Sequence, residues 1–166
     1  EQALGVLPIV AEDLGVITPD VDALRHEFAF PGMRILQFAW GEDDTAERRF
    51  LPHRYEPDTV VYTGSHDNDT TLGWWASAPE STRHHLREYL ATDGRAVHWD
   101  LIRAACASVA DTAVYPLQDV MGLDGAHRMN FPGQSSGWWV WRFAWEQVPA
   151  DAAARLRRLC ELYDRL

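Results

Sequence analysis

Four short apolar runs, each ending in polar side chains, constrain the fold of this chain more than any other feature. The runs cover residues 7–11, 33–40, 59–62 and 112–117. Helical patterns separate most of them, and strands that alternate with helices are typical of a parallel sheet. Parallel strands bring their carboxyl ends to one edge, so we expect the polar residues to meet there. These residues are Glu12, Asp13, Gln37 to Asp43, His66 to Asp69, Gln118 and Asp119.

This layout predicts a single α/β segment over residues 1–166. A polar edge at the strand ends is typical of the catalytic face of a (β/α)8 barrel. Only four strands are visible, whereas such a barrel has eight strands in about 250 residues. The pattern also predicts a helix capped by Thr18 with Pro19 at its first position, and further helices over 80–90, over 98–109 and at the carboxyl terminus.

Charge and composition narrow the possible functions. The net charge of −10 argues against a nucleic-acid partner, because phosphate backbones require clustered basic side chains. No signal sequence opens the chain, and no apolar run reaches the roughly 18 residues of a membrane span. Two cysteines are too few for a disulfide framework, so we expect Cys106 and Cys160 to be buried thiols in a cytoplasmic protein.

The segment 62–71 is the strongest candidate for an active-site loop. It follows a β-branched run, and Gly64 breaks the extended pattern. A solvated turn would explain its Asp and Asn residues, but not the paired tryptophans behind it. An EF-hand calcium loop is excluded, because Leu72 and Ala78 stand where that pattern requires Gly and Glu. No spacing of His or Cys indicates a zinc site. The polar side chains of the loop are His66, Asp67, Asn68 and Asp69.

Short motifs over nearly the whole chain form a specific set. They are Ala11-Glu12-Asp13-Leu14-Gly15-Val16-Ile17-Thr18-Pro19, Phe30-Pro31-Gly32-Met33-Arg34, Leu36-Gln37-Phe38, Leu51-Pro52-His53, Tyr62-Thr63-Gly64, His66-Asp67-Asn68-Asp69-Thr70-Thr71, Met129-Asn130, Pro132-Gly133, and Trp139 with Trp141-Arg142. In this order they closely resemble the motifs of the 4-α-glucanotransferases, or amylomaltases, of the α-amylase-like superfamily. The resemblance implies the carboxyl-terminal part of a (β/α)8 barrel, about strands five to eight with their helices.

The resemblance also implies a reaction and a set of residues. The family's enzymes are retaining, and they move α-1,4-glucan segments between maltooligosaccharide, starch or glycogen chains without a metal or an organic cofactor. Glu12 matches the general acid/base, and Asp67 matches the acid that stabilises the transition state. The positions that match contacts with the bound glucan are His66, Asp13, Asn130 and Ser136.

Two departures from the family pattern concern the chemistry. Trp138 follows Gly137 where the family usually carries Asn before the Trp. The nucleophile is expected within an Arg-x-Asp-His motif on the preceding strand, and the sequence contains no such motif. Residues 1–5 look like the end of a helix, so we expect a partial barrel that is inactive alone. Its bare strand edges predict self-association or pairing with the missing half.

Two other functions are left open by the sequence. A glucan-binding module without chemistry would use the flat faces of its eight tryptophans alone. A related α-glucan hydrolase would share the acids, although the pattern over residues 66–69 favours the transferase. Transfer exceeds hydrolysis only if the acceptor glucan excludes water from the site. The residue composition does not decide between these two reactions.

Overall fold

A three-stranded parallel sheet lies at the centre of the computed structural model, which describes residues 8–41 and 47–166. Strand β1 (Gly32–Ile35) pairs with β2 (Thr59–Tyr62), and β2 pairs with β3 (Thr112–Val114). In this register Val60 lies between Met33 and Thr112. The predicted parallel α/β arrangement is confirmed, with the carboxyl ends of all three strands at one edge.

Six α-helices flank the sheet within the described residues. Helix α1 begins at Pro19 as predicted, since the fixed φ of proline suits a first helical turn. The prediction that Thr18 caps it is wrong in one respect, because the Thr18 side chain makes no capping hydrogen bond. None of the described helices combines the length and apolarity that a membrane crossing requires. Helices α1 to α6 span Pro19–Glu27, Thr71–Ser77, Glu80–Leu90, Val97–Ala107, Leu117–Met121 and Ala152–Leu162.

The first predicted strand is not formed over its described residues, 8–11; Leu7 lies outside the described part of the chain. One backbone bond, from the N–H of Ala11 to the carbonyl of Pro31 at 2.8 Å, ties this segment to the start of β1. Pro8 has no N–H to donate, and Ile9 is 41% exposed. The segment therefore runs beside the sheet without joining its ladder.

Two other predicted strands are shorter than expected. The second stops at Ile35, because the chain tightens into a 3-10 turn at Leu36–Phe38. This turn buries the Gln37 side chain at the edge of the sheet. The fourth stops at Val114, because Pro116 cannot donate to a ladder and α5 begins at Leu117.

Two apolar clusters hold the helices to the sheet and to one another. Tyr115 packs against both of them. The Trp74–Trp75 pair packs, partly buried, on the first cluster. Both cysteines are unpaired; Cys106 is buried as expected, whereas Cys160 is only half-buried. Central members of the first cluster are Leu36, Trp40, Val61, Leu86 and Leu101, and those of the second are Trp99, Ile102, Cys106, Val120 and Leu159.

Helix α1 presents its apolar side chains outward. Val21, Leu24 and the C-cap residue Phe28 are 48%, 54% and 47% exposed, whereas Arg25 within the helix is buried. Arg25 donates to the carbonyl of Phe30 at 3.1 Å. This polar contact ties the helix to the segment that leads into β1, and its apolar side chains are left exposed.

The buried tyrosine Tyr55 makes stability depend on alkaline pH. Its hydroxyl donates to the carbonyl of Phe50 at 2.7 Å, and burial raises the pKa of Tyr55 well above its ordinary value. The folded-state pKa is thus above the unfolded one, so this stabilisation is complete below about pH 10. As pH rises further, the unfolded state alone loses its proton, and stability falls by up to about 1.4 kcal/mol per pH unit.

We expect Tyr55→Phe to lower the free energy of unfolding by about 1 kcal/mol near neutral pH, where one hydrogen bond is lost. Above about pH 10 the variant should lose stability less steeply than the unmodified protein. Urea unfolding of the complete gene product that contains this sequence, at a series of pH values, measures both effects. Tyr163→Phe, at a half-buried position, is the control and should keep the steep alkaline loss. An unchanged slope in Tyr55→Phe would contradict the assignment.

Candidate functional site

A cavity of about 530 Å³ opens at the carboxyl ends of the strands. Its volume lies in the range of small-molecule sites, about 300–1,000 Å³. The wall combines apolar and aromatic surface with a few polar groups, which is typical of such sites. Its lining includes Glu12, Tyr62, His66, Asp69, Tyr115 and Arg128.

Glu12 lies on the cavity wall in a segment that is fixed on both sides. The sequence predicted that Glu12 would follow a buried strand. Instead, its side chain is exposed and the described residues before it form no strand. The preceding residue, Ala11, is bonded to the chain before β1. The following residue, Asp13, is buried and accepts the N–H of Met33 at 2.7 Å. These anchors hold the backbone of Glu12 at the wall.

Asp13 is buried away from the cavity wall. Its second oxygen pairs with Arg34 at 2.8 Å and lies 3.9 Å from Arg25 Nε. Close packing requires glycine at position 32, because a Cβ there would lie 2.7 Å from the Asp13 carboxylate. The structure thus places Asp13 as an anchor for the Glu12 segment. Its expected contact with a bound glucan has no support from this geometry.

The site loop, residues 64–70, carries His66 and Asp67 from the end of β2. Asn68 closes it, since its Oδ1 accepts both the N–H and the hydroxyl of Ser65 at 2.8 Å. His66 is exposed on the cavity wall, and its Nε2 lies 3.3 Å from Asp67 Oδ1. The structure therefore pairs these two predicted site residues.

A second stretch, the crossing segment (residues 128–139), packs across the site loop. The N–H of Asn130 donates to the carbonyl of His66 at 3.1 Å. The amide of Asn130 donates to Asp67 Oδ1 at 2.6 Å. The Trp139 ring lies 5.1 Å from the ring of His66. Asp67 is thus held just behind the wall, between two of the other predicted site residues.

The structure does not bring Ser136 to the cavity wall. It lies exposed between Gly133 and Gly137, whose φ values of 81° and 87° suit glycine. Trp138, the residue that departs from the family pattern, donates its indole N–H to Gln134 at 2.9 Å and folds back on its own loop. The role expected for Ser136 stays a prediction.

Two contributors to the site were not identified from the sequence. Arg128 lines the cavity and donates to backbone carbonyls of both the site loop and the crossing segment. Its only signal was its place two residues before Asn130. Gln37 was noted as polar, but its bond from Nε2 to the carbonyl of Asp69, at 2.9 Å, joins residues too distant for a sequence pattern.

Asp69 fits into the site because two neighbours lack a Cβ. Its carboxylate packs directly against Gly73 in helix α2, and a Cβ on Gly125 would lie 3.0 Å from it. Its Oδ1 also accepts the N–H of Thr70 at 2.7 Å. The loop and helix α2 therefore share one tightly packed junction.

This packing reverses the usual effect of glycine replacement in a helix. Gly→Ala normally stabilises a helix by about 1 kcal/mol, but in Gly73→Ala the new methyl would overlap Asp69. We expect a loss of about 1–3 kcal/mol, measured as a fall in Tm. Gly15→Ala, at a bend outside the helices, is the control for added volume, because no atom lies within 4 Å of its added Cβ. A Gly73→Ala protein as stable as the control would show that Asp69 is free to move.

These features define an α/β protein with a parallel sheet and an acid-bearing cavity at the carboxyl ends of its strands, the arrangement of barrel-type enzymes. The chain belongs to the 4-alpha-glucanotransferase family, whose model matches residues 1–147. The resemblance drawn from the motifs is thereby confirmed.

Individual relatives agree with this membership. The chain is 47% identical to a 4-alpha-glucanotransferase of Thermus thermophilus and 48% identical to one of Synechocystis; the matches cover 100% and 99% of this chain and 34% of each relative. Its fold matches an amylomaltase from Streptococcus agalactiae in complex with acarbose, with a TM-score of 0.92 at 30% identity, over 99% of this chain and 33% of that chain. The chain therefore spans about a third of the length of these relatives.

Proposed function

We propose that this chain is the carboxyl-terminal part of the barrel of a retaining 4-α-glucanotransferase, contributing about strands five to eight. The observation that carries the proposal is that predicted site residues from separate segments line one cavity. Glu12 and His66 stand on its wall, and Asp67, whose side chain is 46% exposed and pairs with His66, lies just behind it. Relatives named for this activity align with the whole chain.

Each acid has a defined task in the proposed reaction. Retaining transfer requires one carboxylate to attack and a second carboxyl group, about 5 Å away, to move the proton. Glu12 protonates the glycosidic oxygen of the leaving glucan and later takes the proton of the acceptor hydroxyl. The attacking carboxylate comes from a part of the parent protein outside this sequence. Asp67 accepts hydrogen bonds from sugar hydroxyls and favours the positively charged transition state.

The contacts around Asp67 suit that role. Its Oδ1 is held by the amide of Asn130 and by His66, which fixes the direction of the carboxylate before substrate binds. Such preorganisation avoids reorientation during the reaction. Trp139, which is 55% exposed beside His66, offers a flat face to a glucose ring. The substrate class that fits is therefore a neutral polysaccharide, an α-1,4-glucan.

The uncovered surfaces support pairing of this segment with another polypeptide segment. Helix α1 leaves an apolar face exposed, and Val114 on the edge strand β3 is 40% exposed. A bare parallel edge is a template for further strand pairing. We propose that the rest of the parent protein covers these surfaces; in the isolated chain, a second copy takes its place.

The role of Glu12 is tested with the complete gene product that contains this sequence. Glu12→Gln keeps the shape of the side chain but cannot exchange a proton, so release of glucose and longer chains from maltotriose should fall by at least about 10²-fold. Glu146→Gln, on an exposed 3-10 turn, is the control and should keep full activity. Unchanged transfer by Glu12→Gln would refute the acid/base assignment.

The same assay separates the alternatives. A transferase yields glucose together with chains longer than the substrate, whereas a hydrolase yields only shorter products. A binding module would bind maltotriose in calorimetry without forming any product. The isolated 166-residue chain is expected to be inactive, since its sequence contains no Arg-x-Asp-His motif to supply the nucleophile. Glucose release by that chain alone would overturn the split-site proposal.

A further inference from the structure

Arg128 joins the two loops that carry the candidate site residues. Its Nε donates to the carbonyl of Asn130 at 2.6 Å, within the crossing segment. Its Nη2 donates to the carbonyl of Asp67, in the site loop. One guanidinium group thus bonds to the backbone carbonyls of Asp67 and Asn130. The side chains of these two residues are themselves joined by a hydrogen bond of 2.6 Å.

The Arg128 side chain is itself held in place. Its Cζ lies 4.4 Å from the centre of the Phe131 ring, a distance that allows a cation–π contact. Its backbone N–H donates to the carbonyl of Gly125 at 3.2 Å. Because the side chain also lines the cavity, its position affects the wall directly.

Three further contacts join the two loops beside the bonds of Arg128. They are the bond from the N–H of Asn130 to His66, the bond from its amide to Asp67, and the ring contact of Trp139 with His66. Without Arg128, the site loop would keep its two bonds to Asn130 but lose the link through the carbonyl of Asp67.

We propose that Arg128 is a positioning residue, which locks the Asp67 carboxylate by holding the backbone of Asp67 and Asn130 in one fork. This inference rests on the proposed function for its effect on catalysis, but not for its effect on the loops. The planar guanidinium presents its N–H groups in a rigid fork, whereas a lysine ammonium is a compact point charge. Geometry, rather than positive charge, should therefore be the property that matters.

The first test measures the loops and needs no activity. Hydrogen exchange in the complete gene product is compared for Arg128→Ala, Arg128→Lys and the control Arg95→Ala, which removes an exposed guanidinium that pairs with its near neighbour Asp93. We expect peptides covering 64–70 and 128–139 to exchange about tenfold faster in both Arg128 variants, because the loop contact opens more often. The control should leave both segments unchanged. Unaltered exchange in both Arg128 variants would refute the positioning role.

The second test measures catalysis. A small misplacement of a catalytic group can cost about 10²-fold in rate, so we expect kcat on maltotriose to fall about tenfold to a hundredfold in Arg128→Ala, with KM changed much less. Arg128→Lys should be nearly as impaired, although it keeps the charge. Added methylguanidinium should restore part of the kcat of Arg128→Ala, whereas methylammonium should not.

The outcomes separate the two proposals. Full activity in Arg128→Lys would show that charge alone suffices and would overturn the fork. If the unmodified protein shows no transfer but the Arg128 variants exchange faster, the proposed function is refuted and the positioning role of Arg128 in the loops is supported. If Arg128→Ala fails to fold, the exchange and kinetics of Arg128→Lys decide the question.

Discussion

The buried carboxylate of Asp119 is the contact on which the site loop depends. It is 1% exposed and accepts three hydrogen bonds, from the hydroxyl of Thr63 at 2.5 Å and from the N–H and hydroxyl of Thr71 at 2.7 and 2.8 Å. Burial raises the pKa of Asp119, and these three bonds oppose that rise. A buried carboxylate is costly unless it is fully bonded. Thr63 and Thr71 flank the site loop, so Asp119 fixes both ends of the loop to helix α5.

The same device recurs on the other side of the cavity. Asp13 is buried between Arg34 and Arg25 and accepts a backbone N–H of β1, which fixes the segment that carries Glu12. Each acid proposed for the chemistry thus lies on a segment that a buried acid fixes through internal contacts. The buried acids Asp13 and Asp119 form their hydrogen bonds within the fold. Glu12, in contrast, is exposed on the cavity wall, where a substrate can reach its carboxyl group.

The sequence predicted best where local chemistry decides the structure. Strand β2 was predictable from a β-branched run that ends before a glycine, and α1 from proline at its first position. The first strand was wrong because an apolar run resembles a strand whether or not a ladder partner accepts it. Asp119 was noted only as polar, since its partner Thr63 is 56 residues away. Contacts of this range leave no periodic signal in a single sequence.

The site residues show the same division between local and distant causes. The placement of His66 and Asp67 at the end of β2 was predictable, because polar residues that follow a buried strand lie where α/β folds keep their sites. Arg128 was not, because its effect depends on the crossing segment folding back over the site loop. Asp13 was assigned to substrate from its place beside Glu12, yet its neighbours in space are Arg34 and Gly32. Adjacent residues on one segment point to opposite sides, so one faces the cavity and the other the interior. A residue next to a proposed acid/base can therefore serve to hold the segment in place, and its position in the sequence alone does not distinguish that role from contact with a substrate.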